Sequence, residues 1–169
     1  DYCHQIDKSG VYAVIVGHGN GLGASSLQVG LSKETDDVLL RSAIKELKHT
    51  KLGVYMIPGF GTIEDDLEPA IKIGASLFKI GCQCTEADTT KKNVKYFVDN
   101  ISTTSGKAID IGCGSGNDSV YLIKNGWSVF SIDKENVGER ISKRLDAEKQ
   151  KRFKFQQQNF NDMKLEKVD

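Results

Sequence analysis

The chain has no net charge, because 23 Lys and Arg balance 23 Asp and Glu. That balance removes the electrostatic case for nucleic acid or an anionic membrane as a partner. No apolar run approaches the roughly 20 residues of a membrane-crossing helix. No basic-then-apolar leader follows Asp1. Cysteine is sparse, at Cys3, Cys82, Cys84 and Cys113, and the one-residue gap between Cys82 and Cys84 is not the CxxC spacing of metal or redox sites. Reduced thiols in a cytoplasmic protein are the expectation. The three histidines, His4, His18 and His49, form neither an HxH nor an HxxxH pair, so no metal site is read from them. Low-complexity linkers and short-period repeats are also missing.

What is present is the composition of a globular chain, 38% hydrophobic and 27% charged over 169 residues. Apolar runs of strand length fall at 12–16, 52–57, 77–81, 107–111, 128–132 and 153–157. Helical patterns lie between them, at 35–49, 63–73, 90–101, 118–125 and 137–149. Thr35 or Asp36, Thr62 and Asp118 are candidate N-caps. Gly53, Gly74 and Gly126 fall where helices stop or strands begin. The alternation predicts an α/β fold of about six mainly parallel strands, with functional loops at their carboxyl ends. Residues 1–10 read as the tail of a helix with Gly10 at its C-cap, and 163–169 as the approach to another strand. Both ends are therefore expected to be cuts inside a larger fold.

The most informative stretch is AIDIGCGSGN at 108–117. An apolar strand runs directly into Gly112-x-Gly114-x-Gly116, and the next strand ends in Asp133, 17 residues beyond Gly116. Without side chains, the loop backbone can approach a bulky ligand. The helix that follows aims its free N–H groups at the same place. A carboxylate at Asp133 can accept hydrogen bonds from both hydroxyls of a ribose. The pattern predicts a site for a small, nucleotide-like molecule. Cys113 has no basic neighbour to lower its pKa and is expected to pack, as is Trp127.

Residues from about 93 to 169 resemble the front part of a class I S-adenosylmethionine-dependent methyltransferase. KAIDIGCGSGND is similar to that family's first motif and VFSIDKE to its second, while FKFQQQNFND resembles the strand and turn at the adenine edge. The resemblance implies S-adenosyl-L-methionine as cofactor. It places Asp110, Gly112, Gly114 and Gly116 around the methionine and ribose portions, Asp133 on the ribose hydroxyls, Lys134 beside the adenine, and Asn159 and Phe160 against it. The strand and loop that present the methyl acceptor in that family are expected to lie beyond Asp169.

Residues from about 9 to 90 carry a second glycine loop, GHGNGLG at 17–23, with no acid ending the following strand and no helix start directly after the glycines. Together with MIPGFGTIEDDL and IGCQCTEAD it resembles 4-hydroxy-2-oxovalerate aldolase, a metal-dependent (β/α)8-barrel enzyme that releases pyruvate. Asn20 stands where that family usually has Asp, and Gln83 where it usually has His. The family's Arg-Asp pair, catalytic His and HxH metal pair have no counterpart here, so a divalent metal is not expected. His18 reads as a loop histidine, and Glu86 and Asp88 as helix N-terminal acids.

Together these resemblances describe two partial enzymes, 1–90 and 91–169, joined near 88–94. One part is (β/α)-barrel-like and the other Rossmann-like, and the two are expected to form a continuous α/β domain. The expected function is a recombined or truncated scaffold with residual S-adenosylmethionine or adenosine binding. The alternative is an aldolase fragment that is inactive alone. Unpaired sheet edges make self-association an expectation.

Overall fold

In the computed structural model, residues 2–57, 59–81, 94–95, 98–99 and 105–159 are described. They divide into two compact units, Asp1–Thr90 and Lys91–Asp169. The expected α/β class is observed, with six strands in two three-stranded sheets whose strands all pair in parallel. No helix among the described residues is long and apolar enough to cross a membrane.

The first unit runs α1 (Tyr2–Lys8), β1 (Ala13–Ile15), α2 (Asp36–Glu46), β2 (Lys51–Met56), a π-helical turn (Ile63–Leu67), α3 (Glu68–Ile73) and β3 (Leu77–Ile80). Its sheet has the order β1-β2-β3. Gly10, at φ +76°, ends the turn after α1 as the sequence suggested. Thr35 caps α2, its side chain accepting from Val38 N–H, and Asp36 and Asp37 follow in the first turn. Thr62 accepts from Asp65 N–H at 3.1 Å while its own N–H donates to Asp66 Oδ2 at 2.7 Å. This reciprocal pairing satisfies donors that a helix start leaves open.

Leu22, Leu40, Leu52, Met56 and Leu67 are almost wholly buried. Each contributes about 1.5–3 kcal/mol by leaving water. Gly53 is not a boundary residue, as its sequence position suggested. It lies inside β2, where a Cβ would stand 3.0 Å from Leu77 Cδ2 and 3.3 Å from Ile15 Cγ1. Its neighbours' side chains fill the space a side chain would need.

A second tie was not visible in the sequence. Asp7 Oδ1 accepts the N–H groups of Lys48, His49 and Thr50 at 3.1, 2.8 and 2.7 Å. These bonds, Thr50's first, hold its carboxyl down to about 2. One carboxylate thus secures α1 to the turn that opens β2.

The second unit runs β4 (Lys107–Ile111), α4 (Asn117–Lys124), β5 (Ser128–Asp133), α5 (Gly138–Ser142), α6 (Ala147–Gln150) and β6 (Phe153–Gln157). Its sheet order is β4-β5-β6. Val94, Lys95, Val98 and Asp99 are helical, within the helix expected over 90–101, and Asp99 Oδ1 accepts from Tyr121 Oη at 2.6 Å. The core gathers Cys113, Val120, Ile123, Val129, Val137, Ile141 and Leu145, with Trp127 packed against it.

Two expectations are corrected here. The helix after the glycine loop is capped by Gly116 in a left-handed conformation, and Asp118 sits in the first turn instead. The single helix expected over 137–149 is two short ones. Asp146 accepts from Lys149 N–H and starts the second as its N-cap, the break that an Asp favours by competing for backbone N–H groups.

Candidate functional site

The site candidate lies at the carboxyl ends of β4 and β5. Gly112, Gly114 and Gly116 all have positive φ, at +74°, +49° and +72°, a region that residues with a Cβ rarely adopt. They do different jobs. A Cβ on Gly116 would sit 2.4 Å from Ile141, so this glycine lets α5 pack against the loop. A Cβ on Gly114 would meet nothing closer than Gly112 O at 4.0 Å. Gly114 therefore keeps a bare backbone facing open space.

The loop is anchored to the strands beneath it. Gly112 and Cys113 N–H both donate to Ile132 O, at 2.8 and 3.2 Å. Gly116 N–H donates back to Cys113 O at 2.7 Å, closing the turn. Cys113 is buried below. Burial first, then the charges of Asp110 and Asp133, push its thiol up to about 12. It stays a protonated packing residue at neutral pH.

Asp133 is the centre of the arrangement. Its Oδ2 accepts from Gly114 N–H at 2.8 Å and its Oδ1 from Glu135 N–H at 2.9 Å. The Glu135 bond, then that of Gly114, holds its carboxyl below the usual carboxylate range. An ionised carboxylate has about four acceptor positions. Gly114 and Glu135 use one on each oxygen and the Lys134 N–H also acts on the carboxylate, which leaves acceptor capacity for a hydroxyl donor.

Asp110 lies under the loop in a different environment. Ser119 Oγ donates to its Oδ2 at 2.5 Å, and Ser119 Oγ and Ser131 Oγ are 2.7 Å apart. Both serines are fully buried. Burial raises the Asp110 carboxyl above its ordinary value, against the bond from Ser119. Ser119 has one hydroxyl hydrogen; with that hydrogen on Asp110, Ser131 must be the donor to Ser119. This relay joins β4, α4 and β5 through polar atoms.

Lys134 is exposed beside Asp133, and its carbonyl accepts from Gln157 Nε2 at 3.0 Å. Gln158 N–H donates to Asp133 O at 2.8 Å, which carries the chain past β6 to Asn159 on the same edge. Phe160 lies outside the described residues. The structure thus brings Gly112, Gly114, Asp133, Lys134 and Asn159 to one edge, with Asp110 beneath.

Sequence reasoning missed Ser119, Ser131, Arg140 and Arg144. Arg144 Nη1 donates to Ser115 O at 2.7 Å and its Nη2 to Asn117 Oδ1 at 2.9 Å, while Arg140 Nη2 lies 3.4 Å from Gly114 O. A signal for Ser131 existed: a hydroxyl in the otherwise apolar run VFSI needs a buried partner.

The first unit's glycine loop is built otherwise. A Cβ on Gly21 would lie 2.5 Å from Tyr55 O, and one on Gly23 2.7 Å from Gly61 Cα. A Cβ on Gly61 would lie 2.6 Å from Leu22 O. The loop GHGNGLG and the turn at Phe60–Gly61 therefore interlock backbone against backbone. Leu22 N–H donates to Tyr55 O at 2.8 Å and Gly23 N–H to Asp36 Oδ2 at 2.9 Å. His18 O accepts from Gly21 N–H at 2.7 Å, and its Nδ1 is buried with no hydrogen-bond partner among the described residues. Glu86, Asp88 and Gln83 lie outside the described residues. Among the described residues no group of three or more His, Cys, Asp or Glu is placed to hold a metal ion.

Comparison with known proteins finds two different kinds of relative. A family model described as "Tellurite resistance protein TehB" matches residues 83–169. The 4-hydroxy-2-oxovalerate aldolase of Spirochaeta aurantia is 44% identical over 105 residues, 62% of this chain and 31% of that protein. Aldolase 2 of the same name from Salinispora arenicola is 46% identical over 93 residues, 55% of this chain and 27% of its own. The Streptomyces griseus protein is 46% identical over 98 residues, 58% and 28% respectively. The chain spans less than a third of the length of these three relatives.

Proposed function

The chain belongs, through residues 83–169, to the tellurite resistance protein TehB family of S-adenosylmethionine-dependent methyltransferases, and we propose that its second unit binds S-adenosylmethionine or a related adenosine-bearing ligand. The observation that carries this is the joint geometry of Gly114 and Asp133. A left-handed glycine with open space above it donates its N–H to an ionised carboxylate that keeps acceptor positions in reserve. A ribose edge needs this pairing, an acceptor for two hydroxyls beside a backbone without side chains.

Each residue then has a task. Asp133 accepts the ribose hydroxyls, Gly112 and Gly114 admit the body of the ligand, and Lys134 and Asn159 flank the base. Asp110, stiffened by Ser119, fixes the height of the loop. When bound, S-adenosylmethionine supplies a methyl group made electrophilic by its sulfonium. The chain's own part is to hold that group in place, which is where methyl transfer gains most of its rate. A cytoplasmic setting, where such cofactors are found, goes with this reading.

Isothermal titration of the full chain with S-adenosylmethionine and S-adenosylhomocysteine tests it. Heat is expected with both, and Asp133→Asn, which removes the charge and sets an amide NH2 against one of the two backbone N–H donors, is expected to weaken binding at least about tenfold, with circular dichroism and the melting midpoint checking that the variant stays folded. No heat from the unmodified chain at millimolar ligand counts against the reading.

The aldolase likeness of the chain at 40–46% identity, together with the motifs GHGNGLG and MIPGFGTIEDDL of the first unit, supports a second reading: a segment of an aldolase-type fold that acts here as a scaffold and is inactive alone. Pyruvate release from a 4-hydroxy-2-oxo acid with manganese present is the assay, and turnover overturns the scaffold reading.

A further inference from the structure

We propose that Arg140 on α5 and Arg144 in the turn that follows it are positioning residues that clamp the glycine loop from behind and hold it in its ligand-receiving shape. The proposal rests on the cofactor reading above for its functional meaning, but not for its geometry. Arg144 spans the loop's distal half, donating to Ser115 O at 2.7 Å and to Asn117 Oδ1 at 2.9 Å. Arg140 reaches Gly114 O at 3.4 Å. Between them, Ile141 is fully buried and fills the space left by Gly116's missing Cβ.

The helix that carries Arg140 and leads into the turn of Arg144 is itself fixed. A Cβ on Gly138 would lie 2.4 Å from Phe155 of β6, so only glycine lets α5 start this close to the sheet. Among the described residues neither arginine makes an ion pair with a carboxylate. Their donors go to loop oxygens, and a charged donor makes a stronger bond than a neutral one.

Peptide planarity gives the clamp its consequence. In a trans peptide the carbonyl and the following N–H point in opposite directions. Drawing Gly114 O toward Arg140 turns the Ser115 N–H to the far side of the loop. Drawing Ser115 O toward Arg144 does the same to the Gly116 N–H, which meets Cys113 O at 2.7 Å. The arginines thus set the peptide orientations that leave Gly114 bare and its N–H on Asp133.

The test uses the full chain with Arg144→Ala, Arg144→Lys and Arg140→Ala. Without ligand, amide hydrogen exchange at 113–117 is expected to rise about tenfold in Arg144→Ala, less in Arg144→Lys, with the β5 amides unchanged. Affinity for S-adenosylhomocysteine is expected to fall about fivefold to tenfold in Arg144→Ala at an unchanged melting midpoint. Millimolar guanidinium, which can occupy the deleted group's place, is expected to restore part of it. Unchanged exchange in Arg144→Ala overturns the clamp. So does a loss of affinity that tracks a lower melting midpoint and is not restored by guanidinium. Should the unmodified chain bind no S-adenosylhomocysteine, the cofactor reading falls, and exchange alone decides the clamp.

Discussion

The two glycine-rich loops of this chain look alike as strings of letters and are held by different means. In the first unit, Gly21, Gly23 and Gly61 are glycines because other backbone occupies the space of their Cβ atoms. Their loops lock together, and Leu22 drops between them into the core. In the second unit, Gly116 is likewise packed against Ile141, but Gly114 is bare toward open space. Side chains hold that loop: Asp133 by its N–H, Arg140 and Arg144 by its carbonyls. Open space alone does not separate the loops, since a Cβ on Gly17, Gly19 or Gly59 of the first unit would also meet nothing within 4 Å; what sets Gly114 apart is that its N–H lies on the carboxylate of Asp133.

The largest effect expected from this contrast is at Gly23. Gly23→Ala drives a Cβ to 2.7 Å from Gly61 Cα and 2.9 Å from Phe60 O, at φ +71°. Backbone on both sides leaves no flexible atom to move aside. Left-handed strain and overpacking together predict a loss of about 3–5 kcal/mol. Thermal melts and amide exchange at β2 should show the first unit opening while the β5 amides stay protected. A first unit that melts as before means the loops do not interlock.

Gly114→Ala is the mirror experiment. The φ of +49° costs about 1–2 kcal/mol for a residue with a Cβ, and no neighbour adds to it. Stability should therefore fall less than in Gly23→Ala. Affinity for S-adenosylhomocysteine should fall at least about tenfold, because the new methyl stands where the ligand would approach. If Gly114→Ala bound ligand as the unmodified chain does, the open space would not be the site.

Acid separates the units in another way. Asp7 has a folded value of about 2, below its ordinary 3.8. Its contribution is complete above pH 4 and is lost as pH falls toward 2. Asp110 is shifted upward by burial. It favours the folded state as it takes up its proton on acidification, and so opposes Asp133, whose value is lowered. The first unit's stability should therefore drop steeply between pH 4 and 2, and Asp7→Asn should flatten that drop. A slope unchanged by Asp7→Asn would show that other carboxylates govern it.

Much of the fold could be read from the sequence because its signals are local. The strands at 107–111 and 153–157 match the expected bounds, and the others shift by one residue at an end or both. Thr35 and Thr62 cap as expected because capping depends on residues three positions away. The glycine loop and Asp133 were legible as a pair because the βαβ unit fixes their meeting. The long-range ties were not. Asp7 reaches residues more than 40 positions away, and Arg144 meets Ser115 across 29. Nothing beside either residue reveals its partner. The split at Asp146 was misread because the apolar period of 137–149 continues through a side chain that stops the helix.

The finest contrast lies beneath the receiving loop, between two neighbouring serines, and it tests whether the loop is held by side chains at all. Ser119→Ala removes the donor to Asp110, a hydrogen bond to a charged group worth about 1.5–3 kcal/mol. Ser131→Ala removes a neutral bond and leaves Ser119 still donating to Asp110, so the cost should be about 1 kcal/mol or less. The order of the two follows from the direction of the relay, Ser131 to Ser119 to Asp110. Denaturant unfolding at pH 7 resolves the difference. At a pH low enough to protonate Asp110, the acid becomes a donor and the gap between the variants should shrink. A Ser131→Ala loss equal to that of Ser119→Ala would mean that the hydroxyls are arranged the other way, with Ser119 donating to Ser131 and Asp110 held by something else.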